Sequence, residues 1–149
     1  PESDPARLSV IGARYRAIYE RLWDEDEAIL VERERAWAAR RASRATPVET
    51  VLLGPPDAVR ASLPRLVEVG GERFKIVDID GELVVHAATC PHWLGPLDAA
   101  EVIDGCIRCP WHGYVFDVHT GERTDGRGLT LATPPRLVLI DGQLALVPA

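Results

Sequence analysis

The chain has 149 residues, of which 46% are hydrophobic, and a formal net charge of −6. This length suits one domain with its own core, and the acidic balance counts against nucleic-acid binding. No apolar run of about 18 residues marks a membrane span, and no signal sequence is recognisable. With an odd number of cysteines, three, the sequence predicts a cytoplasmic protein without a disulfide framework. The charge itself indicates either simple solubility or an acidic face that attracts a basic partner.

Residues 1–46 form a predicted helical segment. An apolar stripe at helical spacing predicts a first helix over 6–23, through Ile11, Tyr15, Ile18 and Leu22. Asp24 is expected to cap a second helix, with Glu27 completing a capping box, and Thr46-Pro47 is expected to end it. The apolar face leaves three interpretations open, since it could pack on its own domain, dimerise with a second copy, or belong to an upstream domain.

Residues 47–149 follow a different pattern, in which hydrophobic residues alternate with a period of two from Leu66 onward. Residues 48–64 are expected to be a connector with a short strand at 51–53. Turn pairs such as Asp80-Gly81 are typical of hairpins. The predicted strands are 66–69, 74–79, 83–87, 114–118, 136–140 and 143–147. Short strands joined by tight turns predict a small antiparallel β domain.

Two Cys-His pairs lie between these strands and are the strongest functional signal. Cys90 and His92 are separated by one residue, Cys109 and His112 by two, and sixteen residues separate the pairs. Two thiolates and two imidazoles at this spacing predict a four-ligand metal site. Ligand identity alone fits either a closed tetrahedral zinc site or a [2Fe–2S] cluster with two Cys on one iron and two His on the other.

The residues around the ligands resemble those of one family. The pattern C-P-H-x-x-x-P-L, followed by C-P-W-H-G-x-x-F-D-x-x-T-G-E, is similar to the Rieske family, in its ferredoxin and ring-hydroxylating-oxygenase branch. The resemblance covers about residues 65–149. It implies a mainly β chain with an antiparallel β sandwich and an inserted cluster-binding subdomain. It also implies one [2Fe–2S] cluster per chain, with Cys90 and Cys109 on the inner iron and His92 and His112 on the outer iron near the surface.

The sequence departs from the quinol-oxidising branch of that family in informative places. Neither ligand loop contains the extra cysteine of that branch. Tyr114 and Phe116 stand where that branch has a Ser and a Tyr that donate hydrogen bonds toward the cluster. Fewer donors stabilise the reduced state less, so we expect a midpoint potential toward the low end of the Rieske range. Trp93 and Trp111 are expected to shield the cluster, to pack in the ordinary way, or both.

The remaining cysteine and histidines are expected to be structural. Cys106 is predicted to be a buried strand cysteine, His86 to be structural within a strand, and His119 to be solvated in a turn. Oxygenases of the family also need a mononuclear iron held by two His and one carboxylate. Only His86 and His119 remain for such a site, and neither belongs to a recognisable ligand motif. The chain alone is therefore predicted to carry electrons without catalysing oxygenation.

The resemblance implies ferredoxin-like one-electron transfer, from a flavin or iron–sulfur reductase to an oxygenase-type partner. Two alternatives remain open. The chain could be the C-terminal Rieske domain of a larger fused oxidoreductase, because residues 23–37 faintly resemble the closing helix of oxygenase catalytic domains or of helix-grip ligand-binding domains. It could also be the small Rieske subunit of a nitrite reductase.

Overall fold

The first element is one long helix. The computed structural model describes residues 4–43 and 48–149, and helix α1 spans Pro5–Ser43. The prediction of two helices divided at Asp24 is wrong, because 14–43 contains no Pro or Gly and acidic residues do not interrupt a helix. Arg21 Nε donates to Glu25 Oε1 at 2.8 Å across the predicted boundary, the favourable i, i+4 spacing. The predicted stop at Thr46-Pro47 lies outside the described residues.

The rest of the described chain is mainly β. The strands are β1 Val51–Gly54, β2 Arg65–Val69, β3 Glu72–Ile79, β4 Glu82–Ala87, β5 Val102–Ile103, β6 Cys106–Arg108, β7 Val115–Asp117, β8 Arg136–Ile140 and β9 Gln143–Val147. They form three antiparallel sheets with the orders β1-β9-β8, β2-β3-β4 and β5-β6-β7. The expectation of a mainly β, antiparallel fold preceded by a helical segment is confirmed.

Turn chemistry explains why the predicted hairpins form. Asp80 and Gly81 have φ values of 52° and 87° between β3 and β4, and Asp141 and Gly142 have 48° and 76° between β8 and β9. Two positive φ values in a row give the turn whose twist matches paired antiparallel strands. The connector 48–64 differs from its prediction, since it also contains a short helix α2, Pro56–Ala61. Pro56 suits the start of a helix because its missing N–H would have no partner there.

The core joins the sheets and holds the segment that carries the Cys-His pairs. Buried hydrophobic side chains come from β3 and β4, from both ligand loops and from β9, including Ile76, Val84, Leu97, Phe116 and Leu146. The third sheet, β5-β6-β7, lies in sequence between β4 and β8, as an inserted subdomain would. No helix within residues 4–43 and 48–149 combines the length and apolar character that a membrane crossing needs.

Candidate metal site

Two loops with the same backbone hydrogen bonds carry the Cys-His pairs. In the first loop, which follows β4, Cys90 N donates to Gly95 O at 2.8 Å and Leu94 N donates to Cys90 O at 3.0 Å. In the second, between β6 and β7, Cys109 N donates to Tyr114 O at 2.8 Å and Gly113 N donates to Cys109 O at 2.9 Å. Each loop therefore turns sharply around its cysteine and returns within five residues.

The fifth residue of each turn takes the left-handed conformation. Gly113 has φ 69° and Leu94 has φ 63° at the equivalent position. Glycine adopts this region freely, whereas a side chain with a Cβ is strained there. The backbone of the first loop is therefore strained at Leu94, whereas the second loop has an unstrained glycine, Gly113, at the equivalent position.

The two thiols meet in the interior. Cys90 and Cys109 are each 1% exposed. Their shared hydrogen bond raises the pKa of Cys90, which burial raises further, and it lowers the pKa of Cys109 to about 6. Backbone N–H groups of His92 and Trp93 face the Cys90 sulfur, and those of Trp111 and His112 face the Cys109 sulfur. These N–H groups can stabilise negative sulfur, as a thiolate ligand requires.

The two imidazoles meet nearer the surface. The ring centroids of His92 and His112 are 4.8 Å apart and nearly perpendicular, at 88°. His112 is exposed and His92 is half-buried. Burial is the main cause of the lowered pKa of His92, with the positive charges of His112 and Arg123 contributing. His92 Nδ1 is buried and has no hydrogen-bond partner among the described residues, which is unfavourable unless its lone pair binds something.

A glycine allows the backbone to approach the sulfur pair closely. A Cβ added at Gly95 would lie 3.0 Å from Cys109 Sγ and 3.2 Å from the Trp111 ring. Gly95 also accepts the hydrogen bond from Cys90 N. The position thus links both ligand loops, and any larger residue would push the second cysteine or the tryptophan aside.

Aromatic rings and arginines surround the imidazole pair. The Trp93 ring centroid lies 5.8 Å from that of His92 and 5.5 Å from that of His112. The Tyr114 centroid lies 4.8 Å from that of His92 and 6.3 Å from that of His112. Trp93 is 37% exposed, so it covers the histidines only partly.

Sequence reasoning missed the two cations that cover these rings. The Arg33 guanidinium carbon lies 5.2 Å from the centroid of Trp93, and that of Arg123 lies 4.1 Å from the centroid of Tyr114. Arg33 belongs to α1, so the helix reaches the first ligand loop. No local sequence signal links Arg33 to Trp93, because sixty positions separate them.

The other candidates lie apart from the two pairs. Cys106 begins β6, as a strand position, but it is half-buried, so the prediction of burial is wrong. His86 is 1% exposed, its Nδ1 contacts Ala87 O at 3.0 Å, and burial lowers its pKa, which suits the predicted structural role. Its buried Nε2, like His92 Nδ1, has no hydrogen-bond partner among the described residues. His119 is exposed in a turn, as predicted.

The donor set is arranged as two pairs. Among residues 4–43 and 48–149, no three His, Cys, Asp or Glu side chains form a group that could hold one ion. Two thiols in mutual contact, and two imidazoles in mutual contact closer to the surface, instead fit a cofactor with two iron atoms. The unpartnered His92 Nδ1 and the N–H groups facing both sulfurs agree with that fit.

Comparison with known families identifies the class. The model of the Rieske [2Fe–2S] domain matches residues 49–135, more than half of the chain. The chain belongs to the Rieske [2Fe–2S] domain family, and its cofactor is a [2Fe–2S] cluster, as the ligand motifs indicated. The family resemblance predicted from the sequence is confirmed.

Three curated proteins are similar to about half of this chain. The chain is 38% identical to human and mouse apoptosis-inducing factor 3 over 65 residues, 44% of this chain and 11% of each relative. It is 31% identical over 75 residues to cholesterol 7-desaturase nvd of Hemicentrotus pulcherrimus, 50% of this chain and 16% of that protein. The chain therefore spans only a small part of the length of these relatives.

Solved ferredoxins have the same fold. The ferredoxin of carbazole 1,9a-dioxygenase from Nocardioides aromaticivorans IC177 superposes with a TM-score of 0.54 and 22% identity, covering 67% of this chain and 98% of that one. The Sphingomonas yanoikuyae B1 ferredoxin gives 0.52 and 23%, covering 68% and 100%. A chain of the complex of reduced oxygenase and oxidized ferredoxin in carbazole 1,9a-dioxygenase gives a TM-score of 0.53 and 19% identity, covering 66% of this chain and 92% of that one. These identities establish a shared fold.

Proposed function

We propose that the chain transfers one electron at a time as a ferredoxin-like protein, with Cys90, His92, Cys109 and His112 as the cluster ligands. When bound, the cluster supplies a one-electron couple. The observation that carries the proposal is the pairing of two buried thiols with two more exposed imidazoles, inside a segment that matches the Rieske domain. The cysteines would bind the inner iron and the histidines the outer iron.

The protein's own residues then determine where electrons enter and leave. The thiol end is closed to solvent, because Cys90 and Cys109 are each 1% exposed. The imidazole end is open, because His112 is exposed and Trp93 is 37% exposed. A partner can therefore approach His112 more closely than either cysteine, and the histidine edge is the proposed transfer surface.

The proposed partners are a flavin or iron–sulfur reductase as donor and an oxygenase-type protein as acceptor. The fold supports this, since similar ferredoxins occur in complex with the oxygenase of carbazole 1,9a-dioxygenase. The chain's four histidines also leave it without a recognisable mononuclear iron motif. The expected role is thus electron delivery to chemistry performed elsewhere.

Spectroscopy of the purified protein tests this function. We expect two irons and two acid-labile sulfides per chain, and a reduced EPR signal typical of histidine-ligated clusters. His112→Ala should abolish that signal, whereas His119→Ala should preserve it, because His119 is exposed in a turn outside the ligand loops. Colourless protein with one zinc would refute the proposal, and an unchanged spectrum in His112→Ala would refute the ligand set.

We further propose that α1 pairs with the α1 of a second copy. Apolar residues recur at alternating intervals of three and four, the coiled-coil pattern, and are about half exposed: Leu8 54%, Ile11 39%, Tyr15 60%, Ile18 55% and Leu22 48%. Sedimentation should then give a dimer that Ile18→Glu converts to monomer. Ala17→Glu, one position off the stripe, is the matched control and should stay dimeric.

Fusion to a larger oxidoreductase is the second candidate function. It is favoured by the small part, 11% to 16%, that this chain covers of its curated relatives. The mass of the native protein in its source cells, measured by immunoblot, separates the two. A band near 16.4 kDa supports the free ferredoxin, and a much larger band supports fusion. The nitrite reductase subunit would require nitrite-dependent oxidation of the reduced protein together with its large subunit.

The division into a helical segment, 1–46, and a Rieske domain, 47–149, belongs to the same proposal. Helix α1 ends at Ser43 and the family match begins at residue 49, which supports a boundary between them. Limited proteolysis should separate α1 from a coloured fragment that contains residues 49–135. The cytoplasmic location stays a prediction.

A further inference from the structure

The charges beside the imidazole pair have the opposite sign from the chain as a whole. The chain carries a net charge of −6, yet three arginines approach the histidine edge. Arg33 covers Trp93 at 5.2 Å and Arg123 covers Tyr114 at 4.1 Å. Arg108 Nη1 donates to the carbonyl of Gly113, next to His112, at 3.2 Å. We call Arg33, Arg108 and Arg123 the basic rim.

Most of the rim's charge is uncompensated. Arg123 pairs with Asp125, but neither Arg33 nor Arg108 forms an ion pair with a carboxylate within the described ranges 4–43 and 48–149. Three guanidinium groups and one carboxylate leave a local charge of about +2. By contrast, Arg40, Arg60 and Arg73, elsewhere on the surface, are each paired with an acid.

Exposure makes this charge available to a partner. Arg33 and Arg108 are both exposed, as are His112 and Trp93. A guanidinium stacked on an aromatic face still has its N–H groups at the edge of its plane, where they can donate hydrogen bonds to a carboxylate. Arg33 and Arg108 thus present donors for carboxylates beside the proposed transfer surface.

We propose that the basic rim docks an acidic surface, a carboxylate-rich protein face surrounding the redox centre of the electron-transfer partner. This inference rests on the proposed electron transfer and adds the chemistry of the partner. Complementary charge at the point of contact orients the encounter and raises its rate, even when the total charges of the partners repel.

Small redox ions of known charge probe the rim without the natural partner. The protein, loaded with its cluster and reduced, is mixed with ferricyanide, which takes one electron and becomes ferrocyanide. The rim predicts a rate that falls as ionic strength rises, because local attraction is screened. If the negative net charge of the whole chain determined the rate instead, the rate would rise with ionic strength, because repulsion would be screened. With the cationic oxidant tris(phenanthroline)cobalt(III), both trends should reverse.

Charge-reversal variants locate the effect. Arg33→Glu should slow the ferricyanide reaction roughly fivefold at about 0.1 M salt, and Arg33→Lys should retain the native rate. Arg16→Glu is the matched control, because it makes the same change of charge on an exposed position of the same helix. It lies about 26 Å away along the axis, beyond the screening length of about 10 Å at 0.1 M salt, and should change the rate less than twofold there.

A spectroscopic measurement checks the same charge at equilibrium. The reduced EPR signal relaxes faster when a dysprosium complex comes close. The anionic dysprosium–EDTA complex should enhance relaxation more than the neutral dysprosium–HEDTA complex, and Arg33→Glu, which brings the local charge of about +2 to about zero, should remove that difference.

Different results would overturn the proposed electron transfer and the proposed basic rim. Absence of a histidine-ligated cluster signal would overturn the proposed function. A normal signal, combined with ferricyanide rates that rise with ionic strength and equal effects of Arg33→Glu and Arg16→Glu, would overturn the basic rim alone.

Discussion

Replacing Gly95 with alanine tests how tightly the two ligand loops are fitted together. The added Cβ would lie 3.0 Å from Cys109 Sγ and 3.2 Å from the Trp111 ring, whereas relaxed contacts between such atoms are about 3.5–4.0 Å. The sulfur or the ring must therefore move by roughly half an ångström or more. Metal ligation tolerates errors of only about 0.2 Å in ligand distance, so a displaced Cys109 sulfur would bind iron poorly.

The magnitude follows from packing. An extra methyl group in a filled interior costs about 1–3 kcal/mol, and both Cys109 and its neighbour Cys90 are 1% exposed, which leaves little space for relaxation. Gly95→Ala should lower the free energy of unfolding by that amount. It should also reduce iron and sulfide per chain to clearly less than the native content.

The matched control is Gly12→Ala in α1, where an added Cβ would meet nothing within 4 Å. Alanine favours a helix over glycine by about 1 kcal/mol, so this variant should keep its cluster and be at least as stable. The assay combines urea unfolding with iron, sulfide and visible circular dichroism. If Gly95→Ala retained a full cluster and native stability, the close approach inferred for Gly95 would be wrong.

Three further predictions concern neighbouring residues. Phe116 is fully buried and lacks a hydroxyl, so Phe116→Tyr should raise the midpoint potential by about 60 mV if one charge-assisted hydrogen bond forms; an unchanged potentiometric titration would contradict this. Asp117→Ala should cost about 1–2 kcal/mol at pH 7, because Asp117 Oδ1 accepts from Thr120 N at 2.8 Å. Hydrogen bonding, first to Thr120 N, lowers the pKa of Asp117 in the folded protein. The ionised carboxylate therefore stabilises the fold at pH values above the unfolded pKa of about 4. In urea unfolding, the difference in stability between native protein and Asp117→Ala should shrink as the pH falls below that value. Leu94 has φ 63°, so Leu94→Gly should be about 1 kcal/mol more stable than Leu94→Ala, and equal stabilities would remove the inferred strain.

Local chemistry accounts for what the sequence predicted well. Asp80-Gly81 and Asp141-Gly142 define their hairpins through residues that accept positive φ, and the structure has β8 and β9 at their predicted bounds. The two Cys-His pairs predict a metal site because this combination of residues and spacing is uncommon outside metal sites. Such features depend on neighbours within a few positions, which a sequence displays directly.

Other features depend on choices that no short pattern encodes. The run after Trp23 contains both a capping-box pattern at Asp24 and good helix-forming residues. The helix continues through Asp24 because no Pro or Gly interrupts it there. Helix α2 occupies a connector whose prolines indicated only turns. Cys106 lies in a strand, as predicted, but it is half-buried, because β6 belongs to a small three-stranded sheet that little else covers.

The charge of the transfer surface is the clearest case of long-range placement. Residues 51–149 contain thirteen acidic and eight basic side chains, which favours an acidic surface on average. Yet interactions between exposed charges fade over about 10 Å at 0.1 M salt, so a docking partner responds mainly to the groups nearest His112. Sixty positions separate Arg33 from Trp93, and α1 alone brings them together. The sign of the field at the histidine edge therefore depends on how the helix lies against the first ligand loop, and composition contains no information about that.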